Sequence, residues 1–147
     1  KTDMRDKESV LRDVAHLTPA AFDTSSAYGS SKLCNTLFAT ALHRREAART
    51  DSNVVACSLH PGSMIATDIA RDSSIAHAFV KYVGSLFTKT INMGVSTTLL
   101  CCLLPQEDLQ GRYYCDCQTK KPSNVAADEA AQDVLYAVSQ ELVADFM

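Results

Sequence analysis

The sequence predicts an α/β fold in which helices alternate with short strands. A helical pattern over 26–48 is followed by a run of mostly apolar residues over 53–59, which Pro61 and Gly62 end. A short apolar run closed by proline and glycine is typical of a buried parallel strand and its turn. A second strand is predicted over 112–117, between two further helical patterns.

The first long helix is predicted from its ends and from one apolar stripe. Residues 1–14 are highly charged and predict a loop or a short helix, and residues 17–26 predict a loop. Ser25 or Ser26 is a candidate N-cap for the helix, which runs to about Ala48. Its apolar stripe consists of Leu33, Leu37, Phe38, Ala41 and Leu42. The basic side chains that complement the dipole near its end are Arg44, Arg45 and Arg49.

Three more helical segments are predicted along the chain. Residues 69–86 form a helical or mobile segment over the expected pocket, and residues 92–104 form a buried helix that Pro105 ends. The last helix covers 126–146, and the apolar residues on its one face are Ala131, Val134, Leu135, Val138 and Leu142.

Composition indicates a folded domain with no obvious polyanionic partner. The apolar share is 46% and the charged share 21%, which are ordinary values, and 147 residues suit one domain. The net charge of −3 is too mild to indicate nucleic acid or an anionic membrane. No uninterrupted apolar stretch reaches the length of a bilayer span, so we expect no transmembrane segment in this part.

The cysteines and histidines do not predict a metal site. The six cysteines contain no Cys-x-x-Cys pair, although Cys115 and Cys117 could share one face of a strand. Free thiols favour a reducing compartment, so we expect an intracellular, cytoplasmic protein. His43 is predicted to be solvated and His60 to be a packing residue at a strand end. No Gly-x-Ser-x-Gly elbow is present, which argues against a serine hydrolase.

Tyr28 and Lys32 form the most informative pair. Residues four apart share one face of a helix, so the phenol and the ammonium lie side by side. A neighbouring positive charge favours a phenolate, and a phenol tuned in this way can exchange a proton with a carbonyl or hydroxyl oxygen. The alternative is a solvated pair on a helix surface.

The turn after the first strand is the second candidate site. Ligands of open α/β sheets bind outside the carboxyl ends of the strands. Pro61, Gly62 and Thr67 follow such an end.

These motifs resemble the short-chain dehydrogenase/reductase family. The resemblance rests on Tyr28-Gly29-Ser30-Ser31-Lys32, the helix and strand after it, and Pro61-Gly62 with a nearby threonine. Within the family the chain is similar to the branch of the retinol dehydrogenases and WW-domain-containing oxidoreductases. The resemblance implies the carboxyl-terminal half of a Rossmann-like doubly wound parallel sheet that lacks its glycine-rich first half.

The resemblance also implies roles for the candidate residues. Tyr28 would be the catalytic acid/base. Lys32 would form a hydrogen bond to the nicotinamide ribose and keep Tyr28 in its reactive state. Pro61 and Gly62 would line the nicotinamide pocket, and Thr67 would contact the carboxamide. The cofactor would be NAD or NADP, and the substrate an apolar small molecule such as a retinoid, steroid or other lipid.

Two departures from the family pattern concern residues 1–27. No Gly-x-Gly-x-x-Gly or Gly-x-x-x-Gly-x-Gly occurs in the sequence, and no serine stands a dozen residues before Tyr28. Ser9 is too distant for the catalytic serine. We therefore expect 1–147 to be a partial domain, with a charged insertion and loop over 1–25 and the catalytic helix and last strands and helices over 26–147.

A partial domain needs a partner. We expect the missing amino-terminal half of the same enzyme, or a homodimer, to complete the sheet. Without either, these residues should not melt as a stable two-state domain and should bind NAD(H) or NADP(H) negligibly, because the pyrophosphate cradle is absent. The alternative function is a non-catalytic interaction fragment or a truncated regulatory isoform.

Overall fold

The structure is a computed structural model that describes residues 3–12, 23–62 and 91–146. The predicted segments 17–22 and 69–86 lie outside these residues. In chain order the helices and strands are α1 Lys7–Val10, α2 Thr24–Ala47, β1 Ser58–His60, α3 Ile91–Leu103, α4 Gln106–Leu109, β2 Tyr113–Cys115, β3 Gln118–Lys120 and α5 Glu129–Val143. A 3₁₀ turn, Ala144–Phe146, follows α5. The α/β class is confirmed.

The described residues form a small mixed sheet in the order β1-β2-β3. β1 and β2 are parallel, with Ser58 opposite Tyr113 and His60 opposite Cys115. The two predicted strands therefore exist, although both are shorter than the sequence suggested. The prediction of a parallel sheet is only partly right, because β3 was not predicted and pairs antiparallel with β2.

A tight hairpin joins β2 to β3 and corrects the expectation for Cys115 and Cys117. Asp116 and Cys117 have φ values of 55° and 59°, so the chain reverses there and the two cysteines do not continue along one strand. Positive φ at both central residues matches the twist of a two-residue hairpin. The Cys117 N–H donates to Thr97 Oγ1 at 3.1 Å, which attaches the hairpin to α3.

The N-cap of α2 differs from the prediction. Asp23 occupies the cap, and its carboxylate accepts a hydrogen bond from the Ser26 N–H at 2.7 Å. Ser25 and Ser26 lie inside the first turn instead. A carboxylate both satisfies a free N–H group and faces the positive end of the helix dipole, so it suits this position. Asp128 caps α5 in the same way.

The core lies between α2 and α5 and includes the amino-terminal segment. Its buried side chains are Met4, Val10, Leu37, Ala131, Leu135 and Val138. The predicted stripes of both helices are thus confirmed at their centres, whereas Leu142 is 47% exposed. The charged insertion and loop over 1–25 stays a prediction, and Met4 and Val10 of that segment pack into the core. Lys7 Nζ also contacts Glu141 Oε1 of α5 at 2.6 Å.

The carboxyl end of α2 is joined to α5 by charged and aromatic contacts. Arg44 contacts Glu129 at 3.0 Å and Asp133 at 2.6 Å. The Arg45 guanidinium lies 4.3 Å from the ring centroid of Tyr136. These arginines face acidic residues of α5 as well as the end of their own helix. Such exposed pairs stabilise the packing modestly, by up to about 1 kcal/mol each.

α3 is less buried than the sequence suggested. Its face toward the sheet includes Thr97 and Cys101, which are buried. On other sides of the helix, Met93, Leu99 and Leu103 are 56%, 57% and 83% exposed. The apolar composition alone did not distinguish the packed side from the exposed one.

His43 is partly buried beside Gly111, so the expectation of a solvated histidine is wrong. The His43 Nδ1 atom is buried and has no hydrogen-bond partner within 3–12, 23–62 and 91–146. Gly111 has a φ of 70°, and a Cβ atom there would lie 2.8 Å from His43 Cδ2.

Gly111→Ala should lower the free energy of unfolding by about 1–2 kcal/mol from backbone strain alone, with a further cost from the clash with His43. Gly29→Ala is the matched control, because no described atom lies within 4 Å of its Cβ position. In a helix interior that change should be neutral or stabilising by up to about 1 kcal/mol. Urea unfolding of the whole natural protein that contains this sequence measures both. Equal effects of the two substitutions would contradict the described backbone at Gly111.

Candidate functional site

A cleft of about 640 Å³ lies between α2 and the carboxyl end of β1. Its volume is in the range of small-molecule sites. The side of α2 that borders it contributes Tyr28, Gly29, Lys32, Asn35, Thr36 and Ala39, and the strand side contributes residues 57–62 and Tyr113. The cleft therefore brings Tyr28, Lys32, Pro61 and Gly62 together, as residues of one surface.

Tyr28 and Lys32 lie on the same side of α2. The Lys32 Nζ atom is 5.3 Å from the centroid of the Tyr28 ring, so the ammonium lies over the aromatic face. Tyr28 is 52% exposed, and Lys32 is exposed as well. The phenol and the ammonium are therefore both accessible from the cleft. Ser31 does not compete for them, because its hydroxyl donates to the Tyr28 carbonyl oxygen at 2.8 Å.

The turn after β1 is held by His60. The Gly62 N–H donates to His60 Nδ1 at 2.9 Å, and Gly62 has a φ of 101°, which glycine adopts at no steric cost. His60 itself is exposed, so the prediction of a packing residue is wrong. The imidazole instead fixes the backbone that borders the cleft.

Thr67 lies outside the described residues, as does the rest of segment 63–90. Its contact with a cofactor stays a prediction.

Several lining residues were not singled out from the sequence. Asn35, Thr36 and Ala39 follow Lys32 at spacings of three, four and seven, so helical periodicity could have identified them. Ser58 Oγ is buried and has no hydrogen-bond partner among the described residues. Burial, followed by the nearby Cys115 and Asp116 charges, raises the pKa of the Tyr113 phenol.

The cleft combines polar groups with open space. The cleft offers an ammonium, a phenol and the Asn35 amide as polar partners, and Gly29 leaves open space where a side chain would project. No group of three or more His, Cys, Asp or Glu within the described ranges could hold a metal ion. The described helices include none that is long and apolar enough to cross a membrane.

Comparison with known proteins identifies relatives along nearly the whole chain. The WW domain-containing oxidoreductase of Homo sapiens is 35% identical over 145 residues, which cover 97% of this chain and 34% of the relative. The chain belongs to the short-chain dehydrogenase family. A chloroplastic short-chain dehydrogenase, TIC 32 A of Brassica napus, is 36% identical over 126 residues, covering 85% of this chain and 39% of the relative. Retinol dehydrogenase 12 of Mus musculus is 34% identical over 118 residues, covering 80% of this chain and 36% of the relative.

This member of the dehydrogenase family spans about a third of the length of the curated relatives it matches. No family model matches the sequence. No solved structure matches it either. The names of these relatives agree with the sequence resemblance at the level of family and branch.

His60→Ala should cost about 1–3 kcal/mol of unfolding free energy, because it removes the acceptor of the buried Gly62 N–H. His60→Asn is the matched variant, since an asparagine side chain can accept from the N–H two residues later. Hydrogen exchange at the Gly62 amide should accelerate in the alanine variant only. The same exchange rate in both variants would contradict the described hydrogen bond.

Proposed function

We propose that the cleft binds the nicotinamide end of NAD or NADP, and that the whole protein interconverts an alcohol and a carbonyl compound. The observation that carries this proposal is the joint placement of Tyr28, Lys32 and the Pro61–Gly62 turn around one cleft at the end of a parallel strand. Family membership and the names of the relatives support an oxidoreductase.

Tyr28 would move the proton of the reaction. A bound nicotinamide supplies or accepts the hydride at the substrate carbon. The Tyr28 hydroxyl gives a proton to the carbonyl oxygen during reduction and takes it back from the alcohol during oxidation. Its exposure on the cleft side of α2 leaves room for a substrate oxygen beside it.

Lys32 would interact with both the cofactor and Tyr28. Its ammonium can donate hydrogen bonds to ribose hydroxyls in the cleft. The positive charge over the Tyr28 ring would also stabilise the negative charge that develops on the phenol oxygen during the reaction. A methionine side chain at this position would do neither, because it has no charge and no hydrogen-bond donor.

Pro61, Gly62 and Thr67 would contact the nicotinamide ring and its carboxamide. The bond from the Gly62 N–H to His60 keeps the turn in one conformation beside the cleft. The pyrophosphate and adenosine would be held by a glycine-rich loop in a further part of the enzyme, because these 147 residues contain no such motif. A homodimer is the other way in which the sheet could be completed.

The substrate class we propose is an apolar alcohol or carbonyl compound, such as a retinoid, steroid or other lipid. Its support is the branch resemblance and the relative named retinol dehydrogenase 12. The apolar residues of 69–86, which would cover the substrate, lie outside the described part of the chain.

A non-catalytic interaction function is the second candidate. The exposed apolar side chains of α3, which include Leu99 and Leu103, favour it, because such surfaces often mark protein contacts. The two candidates differ in what they require of Tyr28.

Tyr28→Phe in the whole natural protein should lower kcat by about 10²–10⁴-fold, because it removes the proton donor and keeps the ring. The dissociation constant of NAD(H) or NADP(H) should change little. Tyr136→Phe is the matched control, since Tyr136 stacks on Phe38 away from the cleft. Steady-state rates with retinal and all-trans-retinol as probe substrates measure the effect. Near-native turnover of Tyr28→Phe would refute the catalytic role of Tyr28, whereas an unsubstituted protein without turnover would support the interaction function.

Lys32→Met should weaken cofactor binding and lower kcat, because the ribose loses a hydrogen-bond donor and the charge that develops on the phenol during the reaction loses a neighbouring cation. Lys120→Met, on the exposed strand β3, controls for the loss of one lysine. Calorimetric titration with the cofactor and steady-state rates are the two measurements. If both stayed as in the unsubstituted protein, the pair would be a solvated surface contact.

A further inference from the structure

The first turns of α2, which contain Tyr28, are weakly supported by their own sequence. Residues 24–31 are Thr-Ser-Ser-Ala-Tyr-Gly-Ser-Ser, in which Ala27 is the one strong helix former. Serine and threonine side chains compete for backbone hydrogen bonds, and glycine loses the most backbone entropy in a helix. Local propensity therefore does not explain why the helix begins at this point.

Core packing supports α2 only after Tyr28. Within the described part of the chain, none of residues 26–32 is buried. Leu33 packs against the core, and Leu37 is fully buried. Tyr28 precedes Leu33 by five residues, which is more than one turn of helix. The turn that contains Tyr28 therefore needs a support other than the core.

Asp23 supplies that support at the amino terminus of α2. Its Oδ2 atom accepts a hydrogen bond from the Ser26 N–H at 2.7 Å. Its carbonyl oxygen accepts one from the Ala27 N–H at 2.8 Å, which is the first hydrogen bond of the helix. The carboxylate also lies at the positive end of the helix dipole. Tyr28 directly follows Ala27, so the cap fixes the backbone immediately before it.

We propose that Asp23 is a positioning residue, whose carboxylate keeps the first turn of α2 formed and thereby holds the Tyr28 hydroxyl at the cleft. This inference rests on the proposed function, in which Tyr28 moves the proton. A general acid must lie within hydrogen-bond reach of the substrate oxygen, so only molecules with this turn formed would react. The alternative is a cap that contributes to stability alone. Asp128 is such a cap, because it accepts from the Ala130 and Ala131 N–H groups of α5, away from the cleft.

Asp23→Ala in the whole natural protein removes the acceptor of the Ser26 N–H. Asp23 is exposed, so the substitution leaves the core intact. Hydrogen exchange at the Ala27 and Tyr28 amides should accelerate by about 3–30-fold, the factor that corresponds to the loss of a helix cap. With retinal as the probe substrate, kcat should fall at least about threefold, because Tyr28 is less often in place.

Three comparisons separate positioning from stability. The dissociation constant of NAD(H) or NADP(H) should change less than kcat, because Lys32 adjoins Leu33, which packs against the core. Asp23→Asn and Asp23→Ser keep an oxygen that can accept the same N–H, so they should restore slow exchange and kcat to within about twofold. Asp128→Ala should lower the melting temperature and leave kcat unchanged in assays well below that temperature.

The outcomes distinguish this inference from the proposed function. An unsubstituted protein without turnover would overturn the proposed function and, with it, the role of Asp23 in the reaction. If the unsubstituted protein turns over and Asp23→Ala keeps its kcat, only the positioning role is overturned. The same holds if Asp128→Ala lowers kcat as much as Asp23→Ala does, or if Asp23→Asn restores slow exchange without restoring kcat.

Discussion

The rotation of α2 about its own axis decides which side chains reach the cleft. Leu37 and Ala41 are fully buried, with Leu37 packed in the core that α2 and α5 form. Tyr28 precedes Leu37 by nine residues, which is two and a half turns of an ideal α-helix. It therefore lies on the opposite face, together with Lys32, and faces β1 across the cleft. The packing of one face of α2 in the core thus places the candidate side chains Tyr28 and Lys32 on the opposite face.

The helices were predictable because their apolar periodicity is strong. Leu37 in α2 and Leu135 and Val138 in α5 are core residues as the spacing indicated. Strand β3 was missed because all three of its residues are polar or charged and exposed, so they show no alternation. Met4 and Val10 were missed for a related reason, since two apolar residues in a charged segment give no periodic signal.

The candidate site was only partly predictable. Helical spacing alone predicted that Tyr28 and Lys32 share a face, and a strand-end turn predicted the location of Gly62. The hydrogen bond from the Gly62 N–H to His60 depends on a Gly62 φ of 101°. Sequence patterns do not specify the backbone angle of a single residue.

The central claim is that the cleft between α2 and β1 receives the nicotinamide. A crystal structure of the whole natural protein, soaked with NAD(H) and in parallel with NADP(H), tests it most directly. The account predicts a nicotinamide ring beside Pro61 and Gly62, with Lys32 Nζ at hydrogen-bond distance, about 3 Å, from a ribose hydroxyl. A dinucleotide bound elsewhere, with Tyr28 and Lys32 left in solvent, would contradict the account.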